Sequence, residues 1–240
     1  TMKILKTILT AVVLPLCIAG LAYLCVDSVM QPVKFNKQQD AREQVAIQRL
    51  KDIRTLQNSF KSQYGRYAPT IDSLKWYYNE GMMDIVLQFG SQDDSIADLN
   101  RTNFIKSSRL KGEALEAQLY QEYLGGRNVW GKVNHPIPVK DTLCNREDFC
   151  VDSLAFIPAC GDSVFMEATI KTVSGVKVPL FEAKMPYAIN DNGKIVEYLL
   201  KGLDHQLVVN RYFEREDSGR YPGLMVGSIS APNNNAGNWE

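Results

Sequence analysis

The chain has 240 residues, with 27 basic and 27 acidic side chains and a formal net charge of zero. No long run of either sign occurs, which excludes the concentrated positive surface that nucleic-acid binding needs. The two histidines, His135 and His205, lie far apart without metal-ligand spacing, so neither a metal nor a cofactor is expected.

The stretch Thr7 to Val26, TILTAVVLPLCIAGLAYLCV, holds no Asp, Glu, Lys, Arg, His, Asn or Gln. A helix needs about 20 mostly apolar residues to cross a bilayer core, and this run is that long. It is read as a single-pass anchor, with residues 1–28 forming a cytoplasmic tip and transmembrane segment. Lys3 and Lys6 before the run keep the N-terminus in the cytoplasm by the positive-inside rule. Residues 29–240 are then exported, which in a Gram-negative cell means an inner-membrane protein with a periplasmic ectodomain. Two other readings compete. A buried core helix is usually shorter, and a cleaved signal peptide has a shorter apolar region ending at a small-x-small site. The segment Ala19-Gly20-Leu21-Ala22 imitates such a site. Pro15 and Gly20 are tolerated in membrane helices.

Val29 to Lys37 contains Pro32 and is read as a short link. From about Gln38 the spacing turns helical: Ala46, Leu50, Ile53, Leu56 or Gln57, Phe60 and Tyr64 form one apolar stripe opposite a charged face. Gly65 follows as a helix stop. Burying Leu50, Ile53, Phe60 and Tyr64 against the later sheet would make this helix the spine of the ectodomain; left exposed, the same stripe would receive a partner. Thr70 is the expected cap of a second helix burying Leu74, Tyr77 and Tyr78, with Gly81 closing it. Met83 to Phe89 reads as a strand, Gly90 to Asn103 as a polar surface loop, and Lys111 to Leu124 as a helix. Asp93, Asp94 and Asp98 lack the Gly and terminal Glu of a calcium loop.

Beyond this point β-formers dominate. Val129 to Val139, Leu154 to Pro158, Val164 to Thr172 and Val176 to Ala183 are expected strands. Asn192-Gly193 is a type I′ hairpin signal between Tyr187–Asn190 and Lys194–Leu199. Leu203 to Glu216 is a further helix and Leu224 to Ile229 a last strand. The Asn-rich tail Ala231 to Glu240 is expected to be irregular, with Trp239 docking. The fold class is α+β: a transmembrane helix, an amphipathic spine helix, then a mainly antiparallel sheet with short helices. The ectodomain is helical over 38–124 and sheet-rich over 129–229.

No nucleophile elbow, phosphate-binding loop, dinucleotide fingerprint or zinc-protease motif is present. A site assembled from distant residues stays open. Cys17 and Cys25 lie in the apolar run. Cys144, Cys150 and Cys160 lie beyond it, where either Cys144 and Cys150 pair as a disulfide in an oxidising compartment or all three stay reduced. Asp followed by Ser or Thr and then an aliphatic residue occurs six times, presenting Ser28, Ser73, Ser95, Thr142, Ser153 and Ser163, where average usage gives roughly one. The triplet resembles the O-glycosylation acceptor of exported proteins in the Bacteroidota. Its other reading is a set of ordinary caps and turns.

Arg49 to Leu74, RLKDIRTLQNSFKSQYGRYAPTIDSL, resembles type IV pilins and type II secretion pseudopilins, in which a membrane helix continues into an amphipathic helix, then Tyr, Gly, Tyr-x-Pro and a sheet. Gly20 lies inside the apolar run and the fifth residue after it is Cys25, so no prepilin leader is expected. More broadly, Arg49 to Tyr67, Tyr221-Pro222-Gly223-Leu224 and Asn233 to Glu240 resemble a family of single-pass envelope proteins of Gram-negative anaerobes of the Bacteroidota type. That resemblance implies location and no activity. The expected function is a non-enzymatic scaffold of an envelope assembly, with the membrane and envelope proteins or a second copy as partners. A pilin-like subunit, and a tethered enzyme or a cell-wall or glycan-binding module, are the alternatives.

Overall fold

The computed structural model describes residues 13–240; Lys3, Lys6 and the run before Val13 lie outside the described residues. The chain folds as two compact units. One joins the described part of Thr1–Arg54 to Asp152–Glu240, and the other is Thr55–Val151. The fold is α+β, as the residue patterns imply.

Helix α1 is Leu14–Tyr64, 51 residues without a break. The expected link at Val29 to Lys37 is part of it. Pro32 removes one N–H and with it the bond to the Ser28 carbonyl. The sequence after it, KFNKQQDAREQVAIQRL, is rich in strong helix formers, so the helix resumes on the far side of the proline at the cost of one bond. Burial begins at Phe35 and recurs at Gln39, Ala46, Leu50 and Ile53 in the first unit, then at Leu56, Gln57 and Phe60 in the second. Spacings of three, four and seven keep these side chains on one face of a helix.

In the first unit, strands β3 (Phe165–Val173), β4 (Val176–Pro186) and β7 (Gly223–Gly227) form an antiparallel sheet in the order β3-β4-β7. Alternation gives β4 two characters. Phe181, Ala183 and Met185 are buried on one face, with Leu224 and Val226 of β7 opposite Met185 and Ala183; Glu182, Lys184 and Pro186 lie on the other. Strands β5 (Ala188–Asp191) and β6 (Lys194–Glu197) form the expected hairpin. Asn192 and Gly193 both have positive φ, at 53° and 85°, as a type I′ turn requires. Helix α6, His205–Asp217, starts on the Asp204 side chain, which accepts from the Leu207 N–H.

One expectation for this unit is corrected. Leu154 to Pro158 is not a strand: Val151–Ala155 is a single 3-10 helix, too short a run to gain a ladder. The tail is irregular, as expected, and is held by specific bonds. The Gly227 N–H donates to the Ala236 carbonyl at 3.1 Å and the Asn238 N–H to the Met225 carbonyl at 3.0 Å, so the tail covers the outer edge of β7. The Asn238 side chain bonds both Met225 N and the Gly223 carbonyl, and Trp239 is half-buried there.

In the second unit, β1 (Met82–Phe89) pairs with β2 (Gly131–Pro138) from Met82↔Pro138 to Phe89↔Gly131. Pro136 and Pro138 have no N–H to offer, which suits strands of a two-stranded sheet. Helix α2, Ile71–Glu80, carries the expected Thr70 cap and buries Leu74 and Tyr77. Gly90 to Asn103 is not a loop throughout: Ser95–Ser108 is helix α3. The acidic residues that suggested a solvated loop include its cap, Asp94, whose side chain accepts from Ile96 N at 2.8 Å and Ala97 N at 3.4 Å. Helix α4 is Glu113–Leu124 and a single turn, α5, is Val139–Thr142. Phe89, Leu115, Leu119 and Val129 form this unit's core with Phe104, Tyr120 and Val133 around it. A single sheet was expected, whereas the strands divide into three small ones, because helices α3 and α4 separate β1 from β2 in sequence and those two strands satisfy each other.

The stripe also needs correction at its end. Leu50, Ile53 and Phe60 are buried, but Tyr64 is 46% exposed. Its turn is the last of α1 before Gly65 reverses the chain with φ of 70°. The Phe60 ring packs on Tyr64 at 4.5 Å and edge-on to Tyr77 of α2 at 5.2 Å. Gln57, fully buried, seals the following turn by donating to the Ala68 carbonyl at 3.0 Å and accepting from its N–H at 2.8 Å. Phe60→Ala is therefore expected to cost the second unit roughly 3–5 kcal/mol, read as a shifted urea midpoint of the detergent-solubilised chain. A loss under about 1 kcal/mol would mean the ring is not a core residue.

Candidate functional site

Three features carry chemistry beyond folding. The first is the exposed part of α1. From Leu14 to Lys34 every side chain except Asp27 is exposed, including Leu16, Leu21, Tyr23, Leu24 and Val29. None of the most apolar 18-residue window is buried, as it would be in a soluble core helix. That 18-residue window is roughly 27 Å long at 1.5 Å per residue, close to the thickness of a hydrocarbon core. This is one helix long and apolar enough to cross a membrane.

The second is the polar clasp that takes over where exposure ends. Arg211 of α6 reaches Asn36 Oδ1 at 3.0 Å and Gln39 Oε1 at 3.2 Å. Gln39 donates to Glu43 Oε1 at 2.6 Å, and the Tyr187 hydroxyl donates to the same oxygen at 2.6 Å. Burial and the Glu43 hydrogen bond push the Tyr187 phenol far above its ordinary value, so it stays a donor at any ordinary pH. Arg42 donates to the Leu199 and Lys201 carbonyls, Arg49 to the Phe156 carbonyl, and Arg54 to Asn235 O and the Glu240 carboxylate. One helical face thus holds the later sequence by side chains from Asn36 to Arg54.

The third is a cleft of about 550 Å³ in the first unit. Its floor is the polar face of the sheet: Phe165 and Glu167 on β3, and Glu182, Lys184 and Pro186 on β4. Tyr212 and Glu216 of α6, Ala188 and Ile189 of β5, and Tyr221-Pro222 before β7 wall it. Glu167 stands directly opposite Glu182, and Phe165 opposite Lys184. Lys184 is ion-paired with Glu182 and lies 5.5 Å from the centre of the Tyr221 ring. The Tyr212 hydroxyl donates to Glu216 Oε1 at 2.9 Å. Burial, then the charge of Glu182 and the nearby Tyr212, push the Tyr221 phenol up; burial and the Glu216 bond raise Tyr212. On β7, Gly227 and Gly223 stand opposite Glu182 and Pro186. A Cβ there would come within 2.3 Å of the Phe181 carbonyl oxygen or 2.6 Å of that of Met185, so only glycine permits this approach of strands. The alternation Glu182-x-Lys184-x-Pro186 inside an apolar strand was the available signal for this face; Tyr212 and Glu216 had none.

The remaining candidates are scattered. Ser28, Ser95, Thr142 and Ser163 are exposed, while Ser73 and Ser153 are half-buried. Ser73 lies in the first turn of α2, donating its N–H to the Thr70 cap at 3.2 Å and sharing a hydroxyl bond with it at 2.9 Å, the cap reading of its triplet. His135 is exposed on β2, and His205 bonds Glu197 through Nδ1 at 2.7 Å. No three His, Cys, Asp or Glu side chains converge as a metal site among the described residues. Burial pushes the Cys160 thiol up, which lowers its thiolate fraction and its value as a nucleophile. Cys144, half-buried, and Cys150, exposed, end one loop after α5. The chain matches no family model, no curated protein and no solved structure.

Two measurements follow from this geometry. The structure does not join Cys144 to Cys150 in a disulfide, so both are expected to alkylate in protein isolated without reductant; protection of both until reduction would show the pairing instead. In the second unit, Arg101 grips Glu116 at 2.5 and 3.2 Å. That hydrogen bond, helped by the Lys132 amide and opposed by burial, holds the Glu116 carboxyl below its ordinary value of 4.5. A lowered folded-state value contributes stability that is fully present above about 4.5 and is lost as pH falls below that and through the lowered folded-state value. Glu116→Gln is expected to lower the urea midpoint at pH 7 and to show a smaller deficit at about pH 3. An equal deficit at both values would mean the charge is not the cause.

Proposed function

We propose that the protein is a structural subunit anchored in the inner membrane, which holds its periplasmic ectodomain in a fixed relation to the bilayer within an envelope assembly. The observation that carries this reading is the continuity of α1. Its uncovered apolar part runs without a break into the part clasped from Asn36 to Arg54. A tether that only localised an enzyme would gain nothing from such rigidity, and a flexible linker would serve it. Lys3 and Lys6 give the orientation.

A pilin-like subunit is the second reading. It is favoured by one helix serving both as apolar anchor and as the buried spine of an α+β head with small antiparallel sheets. The two readings differ in processing: a scaffold keeps its N-terminal segment, and a pilin-like subunit loses a leader.

A reporter fused after Glu240 is expected to be active in the periplasm and silent in the cytoplasm, and intact mass of the native protein to include the apolar run. A photo-crosslinker at Val33, 54% exposed on α1, is expected to capture one defined envelope protein or a second copy in native membranes. Cytoplasmic reporter activity would overturn the orientation. Absence of any crosslinked species would overturn the assembly role.

A further inference from the structure

The cleft described above is not used by an anchor or a scaffold, and its composition is specific. It holds three carboxylates, Glu167, Glu182 and Glu216, against one ammonium, Lys184. Two of the carboxylates face each other across β3 and β4, an arrangement that is unfavourable until a cation lies between them. Lys184 answers Glu182 alone. Glu167 has no ion pair or hydrogen bond among the described residues, and neither does the Tyr221 hydroxyl, which lies in the cleft wall. The remaining walls are apolar, and the volume falls in the range of small-ligand sites.

We propose that this cleft binds a primary ammonium group carried on a short aliphatic stem, the ammonium lying among Glu167, Glu216 and the Tyr221 hydroxyl and the stem against the apolar wall. An ammonium has three donors that diverge from one point, which suits acceptors on β3, on α6 and before β7; a planar guanidinium needs its acceptors in one plane. The protein's own Lys184 shows the fit, with its ammonium on Glu182 and against the Tyr221 ring. A bare divalent ion is disfavoured, because the carboxylates do not converge as a metal site. An anion is disfavoured by charge. The same chemistry could be presented by a free aliphatic amine or by a lysine side chain of a partner protein.

The test is calorimetric titration of the full chain in a nonionic detergent with three probes: 1,5-diaminopentane, Nα-acetyl-lysine N-methylamide and 1-pentanol. One or both amines are expected to bind, and the alcohol is not. Binding of the diamine alone assigns a free amine, and binding of the lysine derivative alone or more tightly assigns a protein side chain. Glu216→Gln and Glu167→Gln are each expected to weaken the amine about tenfold. Lys184→Met, which removes the internal competitor, is expected to tighten it. Glu167 is exposed on β3, so its variant keeps the fold if the others do not, as circular dichroism will show. No amine binding up to about 10 mM, equal binding of the alcohol, or an unchanged affinity in Glu167→Gln would overturn the proposal.

Discussion

Asn36, Gln39, Arg42, Glu43, Arg49 and Arg54 stand on one face of a helix, interleaved with Phe35, Ala46, Leu50 and Ile53. Apolar burial alone is non-directional and would let a smooth helix slide or turn against its neighbours. The interleaved polar groups remove that freedom. Each finds a carbonyl, a carboxylate, an amide, a hydroxyl or a guanidinium at a distance that a shift of one residue would destroy. Glu43 is the centre: it receives Gln39 from its own helix and Tyr187 from the end of β4, while Arg215 lies 5.0 Å over the Tyr187 ring. A buried cluster of this kind contributes position more than stability. Position is what an anchor helix must have if its orientation in the lipid is to set that of the unit it carries.

Much of this was legible in the residues. The periodicity of Ala46, Leu50, Ile53 and Phe60 gave the buried face; Thr70 gave a cap; Asn192-Gly193 gave a turn. These are local signals, decided within a few residues. The misreadings have one cause: a local signal outvoted by distant partners. Pro32 marks a break by its own chemistry, yet the helix formers on its far side carry the helix on. The aspartates before Asn103 look solvated, yet Asp94 caps a helix and Asp98 accepts from the Trp130 indole at 3.1 Å. The cleft was nearly invisible, since its walls come from β3, β4, β5, α6 and the turn before β7.

Strand β4 shows how one sequence can serve two interiors. Its odd positions, Phe181, Ala183 and Met185, are apolar and inaccessible. Its even positions, Glu182, Lys184 and Pro186, meet a polar cleft and are nevertheless largely covered. A charged side chain so placed must be paired, and Lys184 does this for Glu182. The glycines of β7 complete the arrangement by omitting side chains where the strands come closest. Polarity and steric economy, rather than any short motif, define that face.

The tail's attachment to Arg54 bears on the order of events during biogenesis. Arg54 and Glu240 are 186 positions apart in sequence, and the unit they close is assembled from both ends of the described chain, with Thr55–Val151 inserted between. The inserted unit is contiguous, so all its residues emerge before the flanking unit has received its sheet. The stripe from Phe35 to Ile53 stays wet until residues after Asp152 arrive, and the bonds of Arg54 wait for Asn235 and Glu240. Long-range closure of this kind is slow and leaves apolar surface open to misassociation. Arrival of these distant residues, rather than completion of the helix itself, therefore sets the moment at which α1 becomes a finished part of its unit.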